Sequence, residues 1–342
     1  MRGISTSANP TSTVPYPVGI FIGDTALNEP YAASITPDLS AFDLQSVEVL
    51  KGPQGTLFGG AALSGVLRYR LNDPNPEAFE ARYFSQGIYP EEGSAAWTHG
   101  IVVNVPLFGE GGDVALRAAY IKREYPGVID DTRPEQAAED VNKGKGDQIR
   151  IALLWQPTDA LQLKYTYLKQ DYVADNGLVI ANSANGPRET DGSLLPWPNE
   201  HEFGLHNLEV SYDWDFMRLV SSTSRTEKKR SNIIDSYGAL LGSAPDGTPD
   251  SAAIPFETVQ DSTSFQQEIR LQSANSDVFE WLVGGYYLHS PINYFLSLNA
   301  QALNETGAAL GDVQNAVRQT ADIFGLGSVL DDTLQTIVPG SN

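Results

Sequence analysis

Beyond residue 78, apolar and polar side chains alternate in blocks about ten residues long, the period of a pleated strand with two unlike faces. In 113–123, Val114, Leu116, Ala118 and Tyr120 share one face, while Asp113, Arg117 and Arg123 share the other. In 160–170, Leu161, Leu163, Tyr165 and Tyr167 oppose Gln162, Lys164, Thr166 and Gln170. In 207–214, Leu208, Val210, Tyr212 and Trp214 alternate with Asn207, Glu209, Ser211 and Asp213. Residues 265–272 repeat the pattern, with Phe265, Ile269 and Leu271 against Gln266, Glu268, Arg270 and Gln272. Strands are predicted over 79–88, 96–106, 113–124, 147–156, 160–172, 205–214, 216–226, 262–273 and 278–289.

The links between these strands alternate in length. Those at 107–112, 157–159, 215 and 274–277 are short, and those at 89–95, 125–146, 173–204 and 227–261 are longer. A membrane β-barrel has short turns at one end and long loops at the other, and its strands need about ten residues to cross the hydrocarbon layer. No run approaches the ~18 apolar residues of a membrane helix, whereas alternating strands hardly raise the mean hydropathy. Tyr120, Tyr125, Trp155, Tyr172, Trp214, Phe216, Trp281 and Tyr287 fall near strand ends. They fit interfacial girdles, although aromatics favour strands in general.

The two ends of the chain differ from this middle. Residues 1–78 are rich in Gly and Pro, with short apolar runs at Val18–Ile22 and Val47–Leu50, and predict a small α+β domain. The turn formers of 72–76 read as a linker into a barrel portion over 79–289. In 290–342 the alternation is lost. Ala308, Leu310, Val313 and Val317 have partly helical spacing, so this part reads as a long surface loop with a helical turn or as a disordered tail.

Composition narrows the chemistry. The 342 residues carry a net charge of -21, which argues against a nucleic-acid partner and for solvated acidic loops. There is no cysteine, so disulfides, thiol catalysis and Cys-based metal sites are excluded. His99, His201, His206 and His289 lack metal-ligand spacing. No nucleophile–base arrangement or phosphate loop is present, so the sequence argues against an enzyme, and it implies neither a cofactor nor a metal.

Residues 43–60 read Asp-Leu-Gln-Ser-Val-Glu-Val-Leu-Lys-Gly-Pro-Gln-Gly-Thr-Leu-Phe-Gly-Gly, followed by Gly65-Val66-Leu67. This closely resembles the plug-domain signature of TonB-dependent outer-membrane receptors, carried here by Glu48, Lys51, Gly52, Pro53, Gly55, Gly59 and Gly65. Met1-Arg2-Gly3-Ile4 and Val18–Asp24 are similar to plug elements upstream of it. Phe265–Leu271 and Phe279–Tyr287 are similar to two barrel strands of the family. Physically, Gly52 and Pro53 end a buried strand, and the glycines permit tight turns.

The resemblance implies an all-β transmembrane barrel, here partial with about nine antiparallel strands, after a small, partial α+β plug (1–78). It implies the outer membrane of a Gram-negative bacterium, contact with its lipid, and a TonB energy-coupling complex as partner. The ligand would be scarce, with an iron–siderophore the favoured class, and residues of 290–342 would form an extracellular loop. It also implies that plug charges such as Glu48, Lys51 and Arg68 meet wall charges such as Glu268 and Arg270. Such barrels have about 22 strands, and at about 25 residues each they need on the order of 550 residues. The chain is therefore expected to be a piece of a longer receptor, with the leader, TonB box and half-plug before it and further strands after it. Alternatives are a receptor used for sensing, a soluble β-sheet binding protein, and a non-functional truncated relic.

Overall fold

The computed structural model describes residues 17–28, 37–38, 42–58, 62–108, 112–132, 137–175, 189–190, 198–235, 255–274 and 279–298. In chain order the elements are β1 (Val18–Ile22), β2 (Thr25–Ala26), β3 (Leu44–Lys51), α1 (Gly55–Phe58), β4 (Gly65–Leu71), β5 (Glu80–Ile88), β6 (Ala96–Pro106), β7 (Val114–Tyr125) and β8 (Asp130–Asp131). They continue as β9 (Gly144–Thr158), β10 (Leu161–Ala174), β11 (Glu189–Thr190), β12 (Asn199–Asp213), β13 (Met217–Asp235), β14 (Pro255–Ser273), β15 (Leu282–His289) and β16 (Ile292–Leu298).

A small sheet is ordered β2-β1-β4-β3, with β1 parallel to β4. Its Phe21 packs edge-on against Phe58 of α1, over buried Ala62 and Val66. A large sheet is ordered β15-β14-β13-β12-β10-β9-β7-β6-β5. Each strand lies antiparallel to its neighbour in that order, and its two edges do not meet. β8 and β11 form a separate two-residue ladder between two of the long loops.

All nine strands expected from the alternation are present, with links 107–113, 159–160, 214–216 and 274–281 at one end and 89–95, 126–143, 175–198 and 236–254 at the other. Several strands run past the predicted limits at the long-loop end. β13 and β14 each span 19 residues, roughly 60 Å at the rise of an extended chain. The alternation fades there because both faces become polar, as at Arg225–Arg230, while backbone pairing continues unbroken.

The expectation for 290–342 needs correction at its start, because Ile292–Leu298 is a strand paired to β14. It keeps the register of β15: Phe265 faces His289 and Ser262 faces Ile292. β15 and β16 are thus one strand position, interrupted at Ser290-Pro291, where proline has no N–H to give the ladder. The helical spacing at 308–317 and the similarity at Met1–Ile4 lie outside the described residues.

The large sheet is inside out relative to a water-soluble one. Along β9, Gln148, Arg150, Ala152 and Leu154 are buried, while Ile149, Ile151, Leu153 and Trp155 are exposed. Arg117, Thr166, Gln170, Ser222, Ser224, Thr226 and Gln266 are likewise buried on one face, and Ile101, Tyr120, Leu208, Phe265 and Ile269 stand exposed on the other. Phe79, Phe108, Trp155, Trp214, Phe216 and Phe279 gather, exposed, at the short-turn end. The polar face is covered by the small sheet. Ile22 and Leu27 pack there against Leu168, Phe203 and Leu205 of β10 and β12. A soluble sandwich would bury the apolar faces against each other, whereas here the apolar face is the one left bare.

Candidate functional site

The candidate site is the seam between the small sheet and the inner face of the large one. Its centre is Asp43, which turns the chain from Phe42 into β3 with a left-handed backbone (φ 56°), a conformation Asp tolerates better than most residues. The carboxylate enters the wall. Arg117 donates to it from Nε (3.0 Å) and Nη2 (2.5 Å), and Arg150 from Nη1 (2.7 Å). These three side chains are 3–4% exposed. Arg117 also reaches Glu80 at 2.9 Å, and Arg82 stands 3.5 Å from Asp43. Asn72 donates to the same carboxylate at 3.0 Å, and its carbonyl accepts from Arg150. A buried charge is tolerable only when paired and hydrogen-bonded; Asp43 and Arg117 meet both conditions, and Arg150 is held through Nη1 and Nη2 while its buried Nε has no partner.

A second charge contact lies at Asp24, in the turn between β1 and β2. Asp24 accepts from Arg68 of β4 at 2.5 Å and also from Arg270 of β14. Arg68 and Arg270, both singled out from the sequence, are therefore brought together through a shared carboxylate. Glu268 sits 3.4 Å from Arg270 on the same strand. Glu48 pairs within the small sheet, 3.7 Å from Arg68 and 3.4 Å from Arg70.

Three amide side chains of the wall bind backbone as a neighbouring strand would. Gln170 accepts from the N–H of Asp38 (2.9 Å) and donates to its carbonyl (2.7 Å). Gln266 does the same for Ala26 (3.0 and 2.7 Å), and Asn104 for Asn75 (2.8 and 2.7 Å). Lys228 adds a bond to the Leu27 carbonyl, and Lys164 reaches Asp73 at 3.0 Å. The 72–76 segment is thus pinned to the wall and is more than a spacer. Replacing Gln170 or Gln266 with Ala leaves a backbone N–H and C=O unmet. Each change is expected to cost about 1–3 kcal/mol, read as faster amide exchange at Asp38 or Ala26 with the wall strands unchanged.

Steric fit completes the seam. Phe42 lies against Gly100 of β6, where an added Cβ would come within 2.5 Å of its ring. A Gly100→Val substitution is therefore expected to displace Phe42 and to cost about 1–3 kcal/mol as overpacking, measured as a lower urea midpoint. On the small sheet, burial and the Asp38 carboxylate push the Tyr69 phenol above its ordinary pKa, so it stays neutral against Ile22.

The other described signature residues shape the ends and turns of the small sheet. Lys51 ends β3 exposed, and Gly52 takes a φ of 97° that favours glycine. Pro53 follows it, Gly55 opens α1, Gly65 opens β4, and Gly59 lies outside the described residues. The sequence analysis did not single out Asp43, Asp24, Arg150, Gln170 or Asn104. The readable signal was Arg117 standing on the polar face of a strand, a charge with no reason to be there unless something meets it. Among the described residues no cluster of three or more His, Cys, Asp or Glu is arranged to hold a metal.

No family model matches the sequence. Three solved structures are similar in fold. The ferric yersiniabactin uptake receptor FyuA from Yersinia pestis aligns at TM-score 0.67 and 17% identity, over 88% of this chain and 43% of that one. The ferric citrate transporter FecA aligns at 0.66 and 13%, over 87% and 42%. The ferric-catecholate import receptor Fiu from E. coli K12 aligns at 0.61 and 15%, over 80% and 42%. The chain spans less than half the length of each. Its fold is that of a TonB-dependent receptor in part: a small plug sheet, and a barrel wall that is not closed.

Proposed function

We propose that this chain is a plug-bearing part of a TonB-dependent outer-membrane receptor that takes up a scarce ferric chelate. In this reading residues up to 78 belong to the plug, 79–298 to the barrel, and the exposed apolar face lies against lipid. The observation that carries it is the reversed wall, with lipid-compatible residues such as Ile149, Ile151 and Leu153 outside and Arg117, Arg150 and Gln170 inside. Water outside would disfavour such a wall, whereas a hydrocarbon layer needs it.

The seam suits a gate. Every bond named across it is a hydrogen bond or an ion pair, so it can open and re-form without chemistry. Asp43 is held most firmly, and Arg68, Glu268 and Arg270 add a second hold through Asp24. The chelate is left to specificity beyond the fold, because the similar structures are named for yersiniabactin, citrate and catecholate. The outer membrane holds no ion gradient of its own, so uptake would draw on the TonB complex.

The test is uptake of 55Fe-labelled chelates by iron-starved cells with and without the gene encoding this chain. Uptake that needs the gene and stops with a protonophore supports the reading. Uptake that ignores either one refutes it.

A further inference from the structure

Past the apolar band at the long-loop end, the outward face of the large sheet carries a cavity of about 460 Å³ over β10, β12, β13 and β14, within the usual range for small-ligand sites. Gly204 makes the dent: it stands in register between Lys169 and Glu227, and its missing side chain opens the pleated surface. An added Cβ would meet nothing closer than 3.7 Å, so crowding does not force the glycine. Tyr167 and His206 line the side nearest the band, with ring centroids 4.9 Å apart. Tyr165 and Leu208, the next outward residues of β10 and β12, continue the exposed apolar surface from there.

The cavity mixes charges of both signs. Lys169 and Lys229 line it from the outward face together with Glu202, Glu227 and Asp261. Lys228 borders it too, but its ammonium is turned inward to the Leu27 carbonyl. The outward charges are loosely held. Lys169 meets Asp171 at 3.1 Å, Arg225 meets Glu227 at 2.7 Å and Lys229 stands 3.8 Å from Glu202, all of them pairs of half-exposed groups. Such pairs contribute little in the wall and exchange readily with a ligand. Asp171 and Glu202 stand directly opposite each other across the ladder, and like charges so placed repel, which favours a cation between them. A polyanion would meet three carboxylates here, and a simple cation would meet two ammonium groups. A ligand that carries both a phosphate and an ammonium group satisfies both signs at once, through charge-assisted hydrogen bonds.

We propose that this cavity binds the headgroup of a lipid carrying ethanolamine phosphate. The phosphate lies on Lys169 and Lys229, the ammonium among Glu202, Glu227 and Asp261, and the acyl chains run down the apolar band past Tyr165 and Leu208. The proposal rests on the outer-membrane reading of the wall and concerns its outer surface, away from the seam. The place of the cavity decides for a lipid over a free solute. It begins where the exposed apolar side chains end, the level at which headgroups meet a membrane-spanning sheet.

The test is lipid titration of the full chain in detergent micelles, with bound lipids counted by native mass spectrometry. One phosphatidylethanolamine is expected to bind at least about tenfold more tightly than phosphatidylglycerol, which lacks the ammonium. The same margin is expected over phosphatidylcholine, whose quaternary nitrogen has no N–H to donate. Gly204→Leu fills the dent at an ordinary contact distance and should erase the preference, with the far-ultraviolet circular dichroism of the wall unchanged. Lys169→Gln and Glu202→Gln should each weaken phosphatidylethanolamine by about fivefold, the worth of one exposed charge pair. O-Phosphoethanolamine, which has no chains to lie on the band, should not displace the lipid at equal concentration. Equal binding of the three lipids, tighter binding of phosphatidylglycerol, or a preference that survives Gly204→Leu would each overturn the proposal. So would displacement by O-phosphoethanolamine, or an unchanged affinity in Glu202→Gln. Gene-dependent uptake of 55Fe alongside such a failure would leave the receptor reading standing, and absence of both would end the two together.

Discussion

Asp43→Asn is expected to loosen the small sheet from the wall while leaving the wall itself paired. The carboxylate neutralises Arg117 and Arg150, both almost fully buried, and among the described residues no second buried carboxylate pairs with either. Of these two arginines Glu80 reaches only Arg117, it is shared with Arg82, and it is itself well exposed. Removing one partner of a buried ion pair strands the other charge, at a cost of about 3–5 kcal/mol. Hydrogen exchange of β3 and β4 should therefore accelerate by two to three orders of magnitude, on the scale of about 1.4 kcal/mol per tenfold. Exchange in β9 and β10 should hold. Glu48→Gln is the internal contrast. Its pairs with Arg68 and Arg70 are longer and partly exposed, so it should cost under about 1 kcal/mol and fade with salt. Replacing all three charges together, Asp43→Asn with Arg117→Met and Arg150→Met, should recover much of the loss, because no buried charge then remains unpaired and Asn keeps the left-handed backbone. Equal protection in Asp43→Asn and Glu48→Gln would show that the lock is not at Asp43.

The strands were legible because the apolar band imposes period two on nine successive segments, and only one face of each strand touches apolar surroundings. Where that band stops, as in Arg225–Arg230, the sequence loses its rhythm although the ladder continues, and the predicted ends fell short. The strand at Ile292–Leu298 was missed for a related reason, since Pro291 reads as a terminator and yet interrupts only one register position. The seam was harder to read. A glutamine that clamps a backbone 132 residues away has the same local signature as a glutamine in water, so Gln170 carried no sign of its role. Arg117 did carry one, because it sits among small inward residues (Ala115 and Ala119) where a free charge is not tolerated. Asp43 was quoted as the first letter of the signature, but neither its left-handed backbone nor its two arginines can be inferred from spacing. Charge pairs were sought between Arg68, Glu268 and Arg270. The connecting group, Asp24, stood only as the last residue of the Val18–Asp24 similarity, and an acidic residue in a turn carries no sign of a distant partner.

An arginine at Ile151 is expected to separate lipid from water as the solvent of the outer face. Ile151 points outward between Ile149 and Leu153, with Ala118 of β7 and Tyr167 of β10 beside it. Trp155 marks the short-turn side of this band. On the other side the next outward residue is Asp147, which accepts a hydrogen bond from Tyr120. Ile151 is therefore near the middle of the apolar strip. In a bilayer, Ile151→Arg should destabilise the folded wall by about 2–4 kcal/mol, and Trp155→Arg at the rim by about 0–1. The cost should rise and fall along Trp155, Leu153, Ile151 and Ile149, measured as the fraction folded into phosphatidylcholine vesicles across a urea series. Thr263→Arg, on the outward face of β14 near Asp261 and beyond the band, should be neutral throughout. If the face meets water instead, the sign reverses: replacing an exposed isoleucine with arginine removes an exposed apolar side chain and improves solubility. A flat profile with better solubility at Ile151 would make the bare face a surface awaiting a protein partner. A profile that peaks at Ile151 and vanishes at Thr263 requires a slab of hydrocarbon whose thickness is set by the alternation itself.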